Sequence, residues 1–384
     1  MREPILITGA RAPAALDIAR SFSAAGFEVH MADCVPSRMA RWSRASMRVH
    51  RHPAPRQDAA GFADAIGRLC AALDPLLIIP SCEEVFHLAA LAPIHGRLFA
   101  PPLATLQRLH SKFMFAEACQ SLGLPAPETI RVTSARELDP VREELFLWVV
   151  KPEYSRFGTH ALVGPDADAV RAIEPSLAAP WVVQRRLHCA EVSFYAASVE
   201  ASLVAFSAYS STWRFEAGGA AYAFDPVAPE MFNRLREIAD VLARNLIPQG
   251  QFACDVIIDD TQTAWLIECN PRATSGAHLF DRSPELALAM LGRRDAPVFG
   301  AKPATHVAPA LWVYGLPDAF KTRRLREWAH RRRSGSDVIG APGDRAPVLG
   351  ALADTMYFGG KALARGRGLT EMMTADIEWN GEPL

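Results

Sequence analysis

The sequence predicts an α/β chain that opens on a small doubly wound parallel sheet, continues into a larger strand-rich core and ends in a more polar extension. Three observations lead there. The run PILITGA (Pro4 to Ala10) is followed by a helical stretch to Gly26 and a second apolar run, FEVHMAD, ending at Asp33. This βαβ opening implies parallel strands joined by a crossover helix. Long runs rich in apolar and β-branched residues recur from Phe146 onward. Finally, 384 residues exceed what one ordinary core holds, so two or three domains are expected.

Bulk composition narrows the function. Half the residues are hydrophobic, 22% are charged and the formal net charge is −1. That balance suits a globular protein and gives no overall reason to expect nucleic acid or a membrane surface as partner. The seven cysteines are scattered, with no CxxC pair, as expected of reduced thiols. No apolar run approaches a membrane span, and the N-terminus runs directly into a strand, so a soluble, cytoplasmic protein is expected.

Along the chain, PLLIIP (Pro75 to Pro80) reads as a buried strand running into Ser81-Cys82-Glu83-Glu84, a capping-box spacing. Residues 1–105 thus make one domain. Ser111 to Leu122 is a helix ended by Gly123, Pro125 and Pro127. FLWVVKP (Phe146 to Pro152), WVVQRRL (Trp181 to Leu187) and EVSFYAASVEASLVAFSAYS (Glu191 to Ser210) read as strands, followed by a loop from Ser211 to Ala221. A helix spans about Pro229 to Asn245. Ser283-Pro284-Glu285 opens another. The basic stretch KTRRLREWAHRRR (Lys321 to Arg333) reads as an amphipathic helix with Phe320, Leu325, Trp328 and Ala329 on one face and a solvated basic side. The expected units are 1–105, 106–183, 184–300 and 301–384.

Between them lies QFACDVIIDDTQTAWLIECNPR, two strand-like runs around a polar turn. With the turn centred on Thr261-Gln262, Asp255 faces Glu268, with Asn270 one step along the same face. Like charges facing each other at about 5 Å repel by roughly 3 kcal/mol at an effective dielectric near 20. Such a pair is buried only if one carboxylate keeps a proton or a cation sits between them. Carboxylate and amide oxygens suit Mg²⁺. A one-residue slip would send Asp255 to the other face.

The ordered set Lys112, Lys151-Pro152, Gln184 to Glu191, Asp255 and Glu268-Cys-Asn270-Pro-Arg272 resembles the ATP-grasp superfamily over about residues 1–300. The resemblance implies a two-lobed ATP-grasp nucleotide-binding core after the small N-terminal domain, with the C-terminal extension beyond. It implies that Lys112 and Lys151 reach the nucleotide phosphates and that Gln184, Arg185, Arg186 and Leu187 form the adenine hinge. Glu191 would hold the ribose, and Asp255, Glu268 and Asn270 two Mg²⁺ ions, for which Mn²⁺ can substitute. Arg272 would stabilise charge on the transferred phosphoryl group or acyl intermediate, making Arg272 and Lys151 the catalytic pair. The loop after Lys151 is poor in glycine, so Ser155 or Arg156 would share the phosphate-covering work with Gly158. Cys189 stands where many relatives have glycine. Gly276, His278 and Arg214, beside Arg272, are candidate substrate contacts.

The implied activity is an ADP-forming ligase that activates a small-molecule carboxylate as an acyl phosphate and joins it to an amine. Membership would make a homodimer one state to expect. Alternatives are a thiol, carbamate or hydroxyl acceptor, or an ATP-binding protein without catalysis. An NAD-dependent oxidoreductase is the rival from another class, suggested by Gly9-Ala10-Arg11 with Asp33. It fails because GARAPAA has no G-x-G-x-x-G.

Overall fold

The computed structural model describes residues 2–156, 160–215 and 220–384. Among these the principal strands form three sheets. The first is parallel, built from β1 (Pro4–Thr8), β2 (Glu28–Asp33), β3 (Arg48–Arg51) and β4 (Leu77–Ile79) in the order β3-β2-β1-β4. The helix Pro13–Ala24 between β1 and β2 starts with proline at its first turn, where no amide partner is lost. Ala15, Ile18, Ala19 and Phe22 pack it onto the sheet; burying Phe22 alone is worth about 2–3 kcal/mol.

That helix is buried on its polar side as well. Asp17 accepts hydrogen bonds from Arg20 and Arg282 at 3.2 Å, and Ser21 Oγ donates to Ser283 O at 2.6 Å. An amphipathic helix on an isolated domain would leave these groups in water. Here they line the seam with the rest of the chain, where Tyr195, Ala197, Ala205 and Ala253 join the core of the first sheet.

The second sheet is antiparallel: β5 (Thr129–Val132), β6 (Trp148–Pro152), β7 (Leu162–Val163) and β8 (Trp181–Arg185), in the order β5-β8-β6-β7. The third contains β9 (Ala190–Val199), β10 (Ser202–Ser210), β11 (Ala223–Pro226), β12 (Gly250–Ile258), β13 (Ala264–Asn270), β14 (Val298–Gly300), β15 (Thr305–His306) and β16 (Ser336–Asp337). Its order is β13-β12-β9-β10-β11-β15-β16, with β14 also pairing β10. The helices Lys112–Ser121 and Pro229–Asn245 cover one face through Phe115, Leu235, Ala239 and Leu242 against Phe194, Phe206 and Phe252.

Two readings need correction. The run from Glu191 to Ser210 is a hairpin whose turn residues, Glu200 and Ala201, both have positive φ (51° and 58°). Neither is the glycine or asparagine that normally advertises such a turn, so the break was invisible. Phe320 does not share a helix with Trp328: it lies in the segment Leu316–Lys321, Arg323 interrupts the helical path with φ 60°, and Leu325–Ser334 is a separate helix. Nor is its basic side wholly solvated, since Arg331 is buried and paired with Asp225.

The C-terminal residues bind two parts of the molecule together. Through β15 and β16 they extend the large sheet. Asp354, on the helix Ala346–Arg365, accepts the N–H groups of Arg38 and Met39 beside the first sheet. The tail then crosses the carboxyl ends of β1 and β2, where Asp376 pairs with Arg11 at 2.6 Å, and Trp379 stacks on Phe86 at 4.9 Å.

Candidate active site

The β12–β13 hairpin closes through a three-residue loop. Asp259 N–H donates to Thr263 O, and Gln262 sits in the left-handed region at φ 66°. The pairs nearest the loop are Ile258 with Ala264 and Val256 with Leu266; continued unbroken, that register would put Ile267 opposite Asp255 and turn Glu268 to the far face. A bulge at Ile267 absorbs the extra residue, so that Asp255 faces Glu268 and Ala253 faces Asn270. The Asp255–Glu268 pairing therefore stands, reached through a bulge instead of the symmetric two-residue turn.

The two carboxyl groups face each other across the hairpin, with Asn270 beside both. Burial and the Glu268 charge push Asp255 up to about 7, although Ser193 Oγ donates to it at 2.6 Å. Burial pushes Glu268 the same way, but the ammonium groups of Lys112 and Lys151 outweigh it and hold that carboxyl at about 2. Of the two facing acids, Asp255 is the one whose protonated form the site favours. Asn270 Nδ2 lies 3.5 Å from Asp255 and 3.4 Å from Glu268, and Arg272 donates to Asn270 Oδ1 at 3.1 Å.

Lys112 reaches this cluster from another direction. Ser111 caps its helix by accepting from Met114 N–H, which places Lys112 in the first turn. Taken by itself Lys112 would be a solvated lysine; here it is 3% exposed, donates to Ser155 O at 2.9 Å and lies 3.7 Å from Glu268. Lys151, on β6, is also buried; burial, with Lys112 nearby, pulls its ammonium down to about 8 against the pull of Glu268. Two cations and two carboxylates from three chain segments therefore share one small volume.

No family model and no curated protein matches the chain. Solved structures do match its shape. N5-carboxyaminoimidazole synthetase from Staphylococcus aureus superposes with a TM-score of 0.61 at 14% identity, over 78% of this chain and 80% of that one. The biotin carboxylase domain of 2-oxoglutarate carboxylase from Hydrogenobacter thermophilus gives 0.62 at 13%, over 78% and 72%. L-amino acid ligase from Bacillus licheniformis gives 0.57 at 14%, over 80% of each chain. The chain has the ATP-grasp fold.

Within this ATP-grasp fold the remaining candidates divide. Gln184 donates to Thr129 Oγ1 at 3.1 Å and to the bulge carbonyl, Ile267 O, at 3.4 Å, tying β8 to the hairpin. The N–H groups of Arg185 and Arg186 are taken by Glu128 O and Leu147 O, and the Arg185 guanidinium lies over Trp148 at 5.2 Å. Leu187 follows β8 and is half-buried. Glu191 pairs with Arg214 at 3.0 Å; burial raises its carboxyl despite that partner. Ser155 Oγ donates to Pro152 O, and Gly158 lies outside the described residues.

Three candidates have other partners. Arg156 is committed to Glu83 at 2.7 Å, to Glu378 at 2.5 Å and to Asn380 at 2.8 Å, and so holds the C-terminal tail. His278 is buried beside Phe224 with Nδ1 2.8 Å from Asp17, on the seam with the first sheet. Gly276 presses on β9 and β10: a Cβ there would run into Tyr195 and meet Ser207 Oγ at 2.9 Å. Packing explains His278 and Gly276 without a ligand.

The rival dinucleotide site is filled from within. Asp33 takes the Arg11 N–H at 2.8 Å and its guanidinium at 2.6 Å. Tyr357 and Lys361, which have the Tyr-x-x-x-Lys spacing of some hydride-transfer enzymes, form a cation–π pair on the helix Ala346–Arg365, with the ammonium 5.1 Å from the ring. Sequence reasoning missed Glu83, read only as part of a helix cap, and Ser193. It also missed Glu153, wholly buried between Ser111 and Arg131. None sits in a local pattern that distinguishes it from a structural polar residue.

Proposed function

We propose that this protein is an ADP-forming, Mg²⁺-dependent ligase that uses ATP to activate a small-molecule carboxylate and couples it to an amine. The observation that carries this reading is the half-buried Asp255–Glu268 pair flanked by the buried Lys112 and Lys151, within an ATP-grasp fold. Solved structures of that fold include a phosphoribosylamine–glycine ligase, an L-amino acid ligase, and carboxylase and synthetase proteins in complex with ADP or MgADP.

The donor set fits the cation. Two carboxylates and an amide are hard oxygen ligands, and a divalent ion between the facing acids would relieve their mutual repulsion. Among the described residues no group of three or more His, Cys, Asp or Glu side chains is arranged as a metal cage, so phosphate oxygens would complete the shell. Asp255, Glu268 and Asn270 would hold Mg²⁺, which supplies charge neutralisation at the transferred phosphoryl group.

Lys112 and Lys151 would neutralise phosphate oxygens. Desolvated ammonium groups act more strongly there than in water. Arg272, anchored on Asn270 Oδ1, would grip the carboxylate or the acyl phosphate made from it. With the Arg185 and Arg186 amides engaged, adenine recognition would fall at Leu187 and beyond, and Glu191 would take the ribose. The working units would be the expected 1–105, 106–183, 184–300 and 301–384. A thiol, carbamate or hydroxyl acceptor is the second reading, since no described contact selects the nucleophile. Replacing Glu268 by Gln should abolish ADP release with candidate acids and amines while leaving the far-UV dichroism unchanged; a fully active variant would sink the proposal.

A further inference from the structure

The basic stretch from Lys321 to Arg333 has no part in the site above, yet it holds seven Lys and Arg residues against one Glu in a chain of net charge −1. It adjoins an unusual helical segment, Ala308 to Lys321, which runs through a wider turn at Leu311–Gly315. Leu311, Gly315 and Ala319, at i, i+4 and i+8, bury its inner face. Outward it presents Trp312, Val313, Tyr314, Pro317 and Phe320, with one exposed carboxylate, Asp318, beside them. The four large side chains among these are 48%, 58%, 41% and 64% exposed in turn. A scattered exposed hydrophobe is ordinary; here five lie on one short segment, and while Trp312 packs edge-on to Trp328 at 4.8 Å and Tyr314 to Phe215 at 4.9 Å, Val313, Pro317 and Phe320 are left facing water.

The residues that follow that segment are strongly cationic, and one of them touches it. Arg332 lies over the Trp312 ring at 5.6 Å, and Lys321, Arg323, Arg326 and Arg333 are exposed nearby in sequence. Among the described residues none of these five has a carboxylate within ion-pair distance, whereas Arg324 and Arg331 are neutralised by Glu327 and Asp225. Trp and Tyr beside arginines, around an aliphatic and phenyl centre, match the chemistry of a headgroup boundary: anionic groups for the rim and acyl carbon for the centre.

We propose that the face formed by Trp312, Val313, Pro317 and Phe320, with its rim of Lys321, Arg323, Arg326, Arg332 and Arg333, docks the protein on an anionic lipid bilayer. Charge selects this occupant over a second copy of the chain, because a two-fold pairing of this face would bring the same uncompensated rim against itself. Neither signal is sufficient by itself. A shallow apolar insertion and a polybasic rim together give reversible binding that salt weakens. The chain needs no membrane-spanning helix for this, and none of its described helices is long and apolar enough to be one.

The test is co-sedimentation of the full chain with sucrose-loaded vesicles of phosphatidylglycerol and phosphatidylcholine, against phosphatidylcholine alone, with sedimentation velocity in parallel. Binding to the anionic vesicles only, reversed by high salt, is expected. The double variant V313S/F320S should weaken it about tenfold or more, as should R326Q/R333Q, which removes two exposed charges and one exposed hydrogen bond, from Arg333 to Ala329 O. Both variants should keep the wild-type melting temperature. Equal binding by wild type and both variants would overturn the proposal, as would no binding to anionic vesicles. So would a wild-type dimer that V313S/F320S converts to monomer without any vesicle binding, which would assign the face to a second copy.

Discussion

Glu83 Oε1, at the carboxyl end of the first sheet, lies 3.6 Å from the guanidinium of Arg272 at the end of the β12–β13 hairpin. The same carboxylate binds Arg156 at 2.7 Å and accepts the Trp379 N–H at 3.3 Å. Burial opposes the charge on Glu83, but Arg156, His110 and Arg272 hold its carboxyl down at about 2. One buried anion thus joins the first sheet, the loop after β6, the C-terminal tail and the proposed catalytic arginine.

Removing that charge should be costly. Glu83→Gln takes a carboxylate away from Arg272 and from Arg156, which keeps Glu378, and breaking such buried pairs typically costs about 3–5 kcal/mol. Urea unfolding should show a loss of that order. The folded fraction should also turn over more slowly with little change in ATP affinity, because Arg272 loses its support while the lysines do not. A variant as stable as wild type would show the network to be energetically idle.

The acid pair predicts a ligand response. Mg·ADP at about 100 times its dissociation constant should stabilise the wild type by roughly 2.7 kcal/mol, visible as a rise in melting temperature. Mg²⁺ removal with a chelator should erase most of the shift, and Glu268→Gln should do the same. An NAD⁺ response without an Mg·ADP response would contradict the proposed function.

His110 links stability to pH. Burial, aided by Lys112 and Arg156 and opposed by Glu83, lowers its imidazole from 6.5 to about 3. The native state therefore binds fewer protons than the unfolded chain between those values, and this contribution to stability is lost as pH falls below about 6.5. Asp255, raised to about 7, works in the opposite sense over much of that range, losing stability as pH rises. The two are separated by difference: from pH 7 to 5 the wild type should lose urea stability relative to His110→Gln, by up to about 1.4 kcal/mol per pH unit. A constant difference across that range would remove His110 from the account.

Gly276 tests packing against ligand contact. In Gly276→Ala the new Cβ would run into Tyr195, which is wholly buried and cannot withdraw. The expected loss is about 1–3 kcal/mol, seen by denaturant unfolding. The Mg·ADP response of the folded variant should persist. Unchanged stability with lost ligand response would return Gly276 to the list of substrate contacts.

Much of the fold was legible along the chain because its signals are local. Pro229–Asn245 follows from a 3.6-residue apolar period with proline at the start, and β1, β2 and β4 from short apolar runs between helical stretches. Legibility failed where no local residue marks the event. Glu200 and Ala201 form a left-handed turn without glycine or asparagine, and Arg323 breaks a helix without proline. The Ser81-x-x-Glu84 pattern was only half informative: Glu84 accepts the Ser81 N–H at 3.1 Å, but no side chain caps the helix in return.

By itself the sequence determined which residue types could do chemistry and that Asp255, Glu268, Asn270 and Arg272 belong to one hairpin, because strand alternation and turn composition are properties of neighbouring residues. Tertiary structure alone decided which of them meet and in what charge state. The bulge at Ile267 turns Glu268 toward Asp255; burial converts Lys112 from a surface lysine into a partner of Glu268; and Asp17 draws His278 into a seam between sheets. These outcomes depend on desolvation and on contacts between residues far apart in the chain. Both exist only once the elements have packed, and so leave no trace in the local pattern.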